Sequence, residues 1–184
     1  SGLLESAAKA LNRGFIKRMQ TGMPWVTVKL ASSMDGKTAL NNGESQWITG
    51  PLAREDVQRH RAQSCAILSG SGTVLADNPS LNVRYSELGF AKNALAEANL
   101  RQPVRVLLDG RNQMRPDLHL FALSSPIVII NTQPNAAEFP EHVEQYQAQS
   151  NGAQLDLQDV MKHLGQRGFN HIWVEAGAKL AGAL

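Results

Sequence analysis

Cys65-Ala66-Ile67-Leu68, running straight into Ser69-Gly70-Ser71-Gly72-Thr73, is the stretch on which the fold turns. The apolar run is short enough for a buried strand and is followed at once by small, turn-forming residues. The chain then continues Val74-Leu75-Ala76-Asp77-Asn78-Pro79-Ser80-Leu81-Asn82-Val83-Arg84. Asp-Asn-Pro is ordinary turn chemistry, and here it sets a carboxylate seven residues before an arginine. A strand that opens into a small-residue loop, with an acid and a base close by, suggests a ligand-binding mouth.

Outward from this point, strand and helix signals alternate. Leu4, Ala8, Leu11, Phe15 and Met19 recur at spacings of three and four, which predicts one helix over about the first 20 residues. Thr21-Gly22 stops it and Pro24 prevents its continuation. Residues 25–30 alternate, with Val26, Val28 and Leu30 on one side of a strand and Thr27 and Lys29 on the other. Asp35-Gly36 marks a turn. Pro51 suits the first position of a helix running to about Gln63 and carrying Arg54, Arg59 and Arg61. Residues 86–102 predict a helix or a surface excursion, 104–108 and 127–130 further strands, and 157–168 a helix with Val160, Met161 and Leu164 inward. A last strand covers 171–175, and Gly177 separates it from a helix opening at Ala178. This alternation predicts an α/β fold with a mostly parallel central sheet flanked by helices. The chain ends at Leu184, early in that final helix, which suggests a fragment.

With 184 residues, 42% of them hydrophobic, the chain can bury a core and is not compositionally disordered. A net charge of +2 with scattered basic residues leaves no nucleic-acid footprint. The one cysteine, Cys65, excludes an intramolecular disulfide and a Cys-rich zinc site, and its apolar setting predicts a buried strand position. The five histidines lack metal-like spacing, so no metal is expected. No apolar run approaches the roughly 20 residues of a membrane span, and charges at Glu5, Lys9, Arg13, Lys17 and Arg18 interrupt any secretory signal pattern. A soluble, cytoplasmic protein is expected.

Several segments carry candidate chemistry. Trp173-Val174-Glu175-Ala176-Gly177-Ala178 is a strand, a glycine turn and a helix start, an arrangement whose free N–H groups suit phosphate. It is not the dinucleotide fingerprint, and such turns are common in α/β folds. Glu175 stands at the strand end where ligands of open sheets gather. Ser69-Gly70-Ser71-Gly72-Thr73 offers a second such loop, so the two together could hold a dinucleotide. Arg61 and Arg84 are candidates for a substrate phosphate, since guanidinium pairs bidentately with its oxygens. Trp47, in a polar loop, would make a platform for a flat ring.

With those residues in view the chain resembles a known family. Val26-Thr27-Val28-Lys29-Leu30-Ala31-Ser32-Ser33-Met34-Asp35-Gly36-Lys37, then Gly43-Glu44-Ser45-Gln46-Trp47-Ile48-Thr49, look like the reductase domain of the bifunctional riboflavin-biosynthesis proteins RibD. Thr73 to Asp77 with Pro79, and Trp173 to Gly177 with Leu180-Ala181-Gly182, continue the match, which covers about residues 20–184. The resemblance implies a dihydrofolate-reductase-like fold and an NADPH-dependent reduction of the ribosyl group of 5-amino-6-(5-phosphoribosylamino)uracil to ribityl. Carried over by position, Ala31, Trp47, Thr73, Asp77 and Gly110 fall at NADPH contacts, as do Gly177, Ala178, Lys179, Leu180, Ala181, Gly182 and Ala183. Ser45, Arg61, Leu81, Arg84 and Glu175 fall at substrate contacts. Gly110 stands where relatives often carry Ser or Thr; the hydroxyl is gone, and neighbouring Arg111 is the candidate to compensate. Asp77, with Lys29 nearby, is the candidate for proton transfer. The family also implies a homodimer and a zinc deaminase domain preceding the reductase. Residues 1–22 resemble the joining segment and 23–184 the reductase, apparently without its C-terminal end. No H-x-E or P-C-x-x-C signature is present, so deaminase activity is not encoded here. Two other readings stay open: another NADPH reductase of the same fold, against which Ser45, Arg61 and Arg84 argue because a pteridine needs no phosphate clamp, and a non-catalytic nucleotide-binding paralogue.

Overall fold

The structure, a computed structural model, describes residues 2–40, 48–152 and 154–184. The β-branched and leucine-rich runs form the sheet interior: β3 (Val104–Leu108) and β4 (Ile127–Asn131), next to β2 (Ala66–Gly70). With β1 (Trp25–Lys29), β5 (Val143–Gln147) and β8 (His171–Glu175), and among the described residues, they make a six-stranded sheet in the order β1-β8-β2-β3-β4-β5. Every pairing in it is parallel, as the alternation of strands and helices requires. A small antiparallel pair, β6 (Ser150–Asn151) with β7 (Gln154–Leu155), stands apart. Neither β5 nor this pair is expected from the sequence, because they carry no buried-strand pattern: Val143 and Tyr146 of β5 stand three apart among Glu144, Gln145 and Gln147, without period-two alternation.

Side-chain alternation divides the core between the two faces of the sheet. Leu68, Val106, Leu108, Val128, Ile130, Ile172 and Val174 point to one face, where they meet Val160, Met161 and Leu164 of α5 (Leu157–Gln166). Ile67, Leu107, Ile129 and Trp173 point to the other, beneath Val74 of α4 (Ser71–Asp77), the loop residues Leu81 and Met114, and Leu120 and Phe121 of a 3₁₀ turn. Asp156 caps α5 by accepting from the amides of Gln158 and Asp159. α3 (Pro51–Gln63) begins on its proline as expected and lies on the second face, with Val57 against that cluster. Arg105, fully buried on β3, donates to the carbonyls of Leu120, Leu123 and Ser125; burial lowers its pKa to about 10, so it stays charged at neutral pH.

Three expectations change. The stretch 71–77 is a helix, not a loop and turn. Val74, fully buried, anchors it to the core, and Asp77-Asn78-Pro79 is its ending: Asn78 adopts a left-handed conformation (φ 42°) and proline follows. The N-terminal helix is two helices, α1 (Glu5–Leu11) and α2 (Arg13–Thr21), broken at Asn12. Their apolar stripe faces water, with Leu4 73%, Leu11 86%, Phe15 49% and Met19 62% exposed. α2 docks instead through Gly14, which lies against the Asn170 carbonyl, through Arg18 bonded to the Asn170 side chain, and through Arg13 and Lys17 over the Trp25 ring. Cys65 precedes β2 by one residue and is only partly buried. Residues 85–99 fold as short 3₁₀ turns over the surface. Among the described residues no helix is long and apolar enough to cross a membrane.

Candidate active site

The C-terminal ends of β1, β8, β2 and β3 lie along one edge of the sheet, where ligands of parallel α/β sheets bind. A cleft of about 800 Å³ opens there, floored by Lys29, Glu175, Gly70 and Leu108. α4 supplies one wall with Thr73, Ala76 and Asp77, and α3 another with Arg54, Gln58 and Arg61. Gly177, Ala178, Lys179 and Leu180 close it at the start of α6 (Ala178–Ala181).

Of the residues singled out in the sequence, Lys29, Ala31, Arg61, Thr73, Asp77, Arg84, Glu175, Gly177, Ala178, Lys179 and Leu180 meet in this cleft. Ala181, Gly182, Ala183 and Gly110 do not line it. Leu81, expected at the substrate, is 2% exposed and part of the core beneath the site; its left-handed backbone (φ 48°) accompanies that inward placement. Ser45 and Trp47 lie outside the described residues.

Glu175 is the centre of a buried network. Arg61, 7% exposed, grips it bidentately, Nε to Oε1 at 2.6 Å and Nη2 to Oε2 at 2.8 Å. Trp173 Nε1 donates to Oε1 at 3.0 Å, and the His60 ring stacks on that indole. Arg61 Nη1 also donates to the Asn82 carbonyl at 2.7 Å. Burial raises the Glu175 pKa, but the hydrogen bonds and charge of Arg61, the charge of Lys29 and the Trp173 bond together outweigh it and hold the carboxyl below its ordinary range. Arg61 is therefore held inside the protein rather than extended as a free clamp.

Arg84 is more open. Its guanidinium meets Glu87 through Nε (2.5 Å) and Nη2 (2.7 Å), with the two side chains 45% and 42% exposed. The Arg84 hydrogen bond, opposed by partial burial, keeps Glu87 ionised to lower pH than usual. Asp77 and Lys29 both line the cleft, Asp77 exposed at the end of α4 and Lys29 partly buried at the end of β1.

The sequence reading missed Gln58, Glu87 and Trp173. The signal for Gln58 was present: Arg54, Gln58 and Arg61 lie at i, i+4 and i+7, so the inward stripe of α3 is polar where a covering helix is normally apolar.

Room exists for an extended anionic cofactor. A β-carbon added at Gly72, in the first turn of α4, or at Gly177, just before α6, would meet nothing within 4 Å, so the backbone at both strand-to-helix junctions is open to an incoming group. Among the described residues no cluster of three His, Cys, Asp or Glu side chains could hold a metal.

Known proteins point the same way. Residues 24–184 match the family described as RibD C-terminal domain. The riboflavin biosynthesis protein RibD of Escherichia coli is 48% identical over 184 residues, covering 100% of this chain and 50% of that protein. A 5-amino-6-(5-phosphoribosylamino)uracil reductase of Buchnera aphidicola subsp. Acyrthosiphon pisum is 36% identical over 146 residues, 79% of this chain and 70% of the relative. The crystal structure of a Thermotoga maritima diaminohydroxyphosphoribosylaminopyrimidine deaminase/5-amino-6-(5-phosphoribosylamino)uracil reductase superposes with a TM-score of 0.81 at 33% identity, over 97% of this chain and 46% of that one. The chain thus spans about half the length of the RibD proteins it matches. Its fold is the dihydrofolate-reductase-like α/β fold of those reductase domains, and the chain belongs to the RibD C-terminal domain family.

Proposed function

We propose that this chain is a 5-amino-6-(5-phosphoribosylamino)uracil reductase unit of riboflavin biosynthesis, converting the ribosyl group to ribityl with NADPH. The observation that carries this reading is one cleft at the strand ends that gathers Lys29, Asp77, Arg84, the Arg61–Glu175 pair and two open strand-to-helix junctions at Gly72 and Gly177. NADPH, when bound, supplies the hydride. Thr73 and Asp77 on α4, with Ala31 and the 177–180 turn, would hold it, the free N–H groups of the turns facing its phosphates.

The chain's own residues then prepare the sugar. Reduction needs the ribosylamine ring open, so that C1′ is doubly bonded to nitrogen and electrophilic, and a proton must reach that nitrogen as C1′ is reduced. We assign that proton to Asp77 and Lys29, which both line the cleft. Glu175, kept ionised by Arg61, orients the sugar by accepting from its hydroxyls. Arg84, its side chain half exposed at the cleft, holds the 5′-phosphate and supplies binding energy remote from C1′. In the whole protein the unit would work in the cytoplasm, as a homodimer and beside a zinc deaminase half.

The test is NADPH oxidation by the purified protein with the phosphoribosylaminouracil and, separately, with dihydrofolate. Turnover is expected with the first alone. Reduction of dihydrofolate would reassign the enzyme, and silence with both would favour a binding paralogue. Asp77→Asn should lower kcat by about 10²-fold or more, the scale of general acid catalysis, with substrate KM little changed; near-normal kcat would remove Asp77 from the chemistry.

A further inference from the structure

We infer that Gln58 is a positioning residue for substrate recognition, setting Arg84 at both its backbone and its side chain. This role rests on Arg84 holding the substrate phosphate, as proposed above. Gln58 is 1% exposed on α3, one turn before Arg61. Its Oε1 accepts from the Arg84 backbone N–H at 3.0 Å. Its Nε2 donates to Glu87 Oε2 at 3.1 Å. Glu87 in turn takes the Arg84 guanidinium by two bonds. One buried carboxamide thus fixes where the Arg84 chain begins and, through Glu87, where its charge ends.

The arrangement matters because the Arg84–Glu87 pair alone would be weak. It is a half-exposed pair three residues apart, of a kind that contributes little and samples many geometries. A buried amide behind the carboxylate removes that freedom. Glu87 engages Nε and one Nη2 hydrogen, which leaves Nη1 and the second Nη2 hydrogen for an anion. Gln102 does the same for the preceding residue, bonding both the N–H and the carbonyl of Val83 at 2.8 and 2.9 Å. Arg61 and Arg84 therefore take their positions from one helix face, Arg61 directly and Arg84 through Gln58.

Steady-state kinetics of Gln58→Met, Glu87→Gln, Arg84→Ala and the Gln58→Met/Arg84→Ala double variant test this. Gln58→Met keeps the side-chain size and removes both hydrogen bonds. It should raise KM for the phosphoribosylaminouracil about tenfold, the scale of a lost hydrogen bond to a charged group, and leave kcat and the NADPH KM within about twofold. Glu87→Gln, on the surface, should raise the same KM by about threefold without altering the melting temperature, so the test survives if Gln58→Met folds poorly. In the Arg84→Ala background, Gln58→Met should add nothing, since a residue acting through Arg84 has no effect once Arg84 is gone. Equal rises in the substrate and NADPH KM values, or full additivity in the double variant, would overturn the role. A substrate KM unmoved by Arg84→Ala would instead overturn Arg84 as the phosphate ligand, and the role of Gln58 with it.

Discussion

Glu175 shows how a carboxylate is kept charged in a place that water barely reaches. Its burial favours the neutral acid, yet Arg61, Lys29 and Trp173 together favour the anion more. Removing one partner of such a pair leaves an uncompensated buried charge, which costs about 3–5 kcal/mol. Glu175→Ala should lower the unfolding free energy by about that much in urea titrations followed by circular dichroism; a loss of less than about 1 kcal/mol would mean that Arg61 finds water easily. The pH dependence has a definite sign. A depressed folded-state pKa stabilises above the ordinary value of 4.5 and stops doing so as pH falls through the folded-state value. Glu175→Gln should therefore show a shallower loss of stability below pH 4.5 than the parent. At this scale the sequence named Arg61 and Glu175 as separate substrate contacts, and the structure pairs them with each other. Motif position names a residue without saying which of two possible partners it prefers.

Elements meet where glycine permits it. A β-carbon at Gly165 on α5 would run into the carbonyl oxygen of Gly22, itself left-handed (φ 73°) at the end of α2. Gly165→Ala should destabilise by about 1–3 kcal/mol, as overpacking does, read as a fall in melting temperature. Gly177→Ala is the contrasting case. Its β-carbon would meet no atom within 4 Å, and the backbone there is ordinary (φ −73°). Melting should stay unchanged while the KM for NADPH rises about tenfold or more, because the added methyl stands where the proposed cofactor contact falls. An unchanged KM would take the 177–180 turn out of the cofactor site. Local punctuation was legible: Gly22, Pro51 and Gly177 end or begin helices where the sequence says they should. The apolar spacing of α1 and α2 was misleading, because periodicity shows that a helix has an apolar face without showing whether that face is covered.

Across the molecule, two histidines are expected to contribute to the response to mild acid. His171, half buried at the start of β8, bonds Thr27 through Nε2 at 2.8 Å; burial, and then the charges of Arg13 and His60, lower its pKa from 6.5. His163 stacks on Tyr146, and burial and Arg167 lower its pKa as well, against the opposing charges of Asp159 and Glu144. Both favour the neutral ring in the folded state. Their contribution is present above pH 6.5 and is lost as pH falls through the lowered values. The urea midpoint should fall between about pH 6.5 and 5, and the fall should flatten in a His163→Gln/His171→Gln variant; an unchanged slope would place the acid sensitivity elsewhere.

The sequence by itself determined the α/β class, the order of most strands and helices, the family, and the glycine turn that follows β8. These follow from signals a few residues long, in which apolar runs, prolines and glycines act on their own backbone. Only the tertiary structure decided which charges neutralise one another. Arg61 and Glu175 lie 114 residues apart and meet at 2.6 Å because the order β1-β8-β2 brings the end of β8 beneath α3. The partners of Gln58 were hidden for the same reason. Its place on the polar stripe of α3 was legible, but what that amide bonds is settled only once the chain from Asn82 to Glu87 has been laid across its helix.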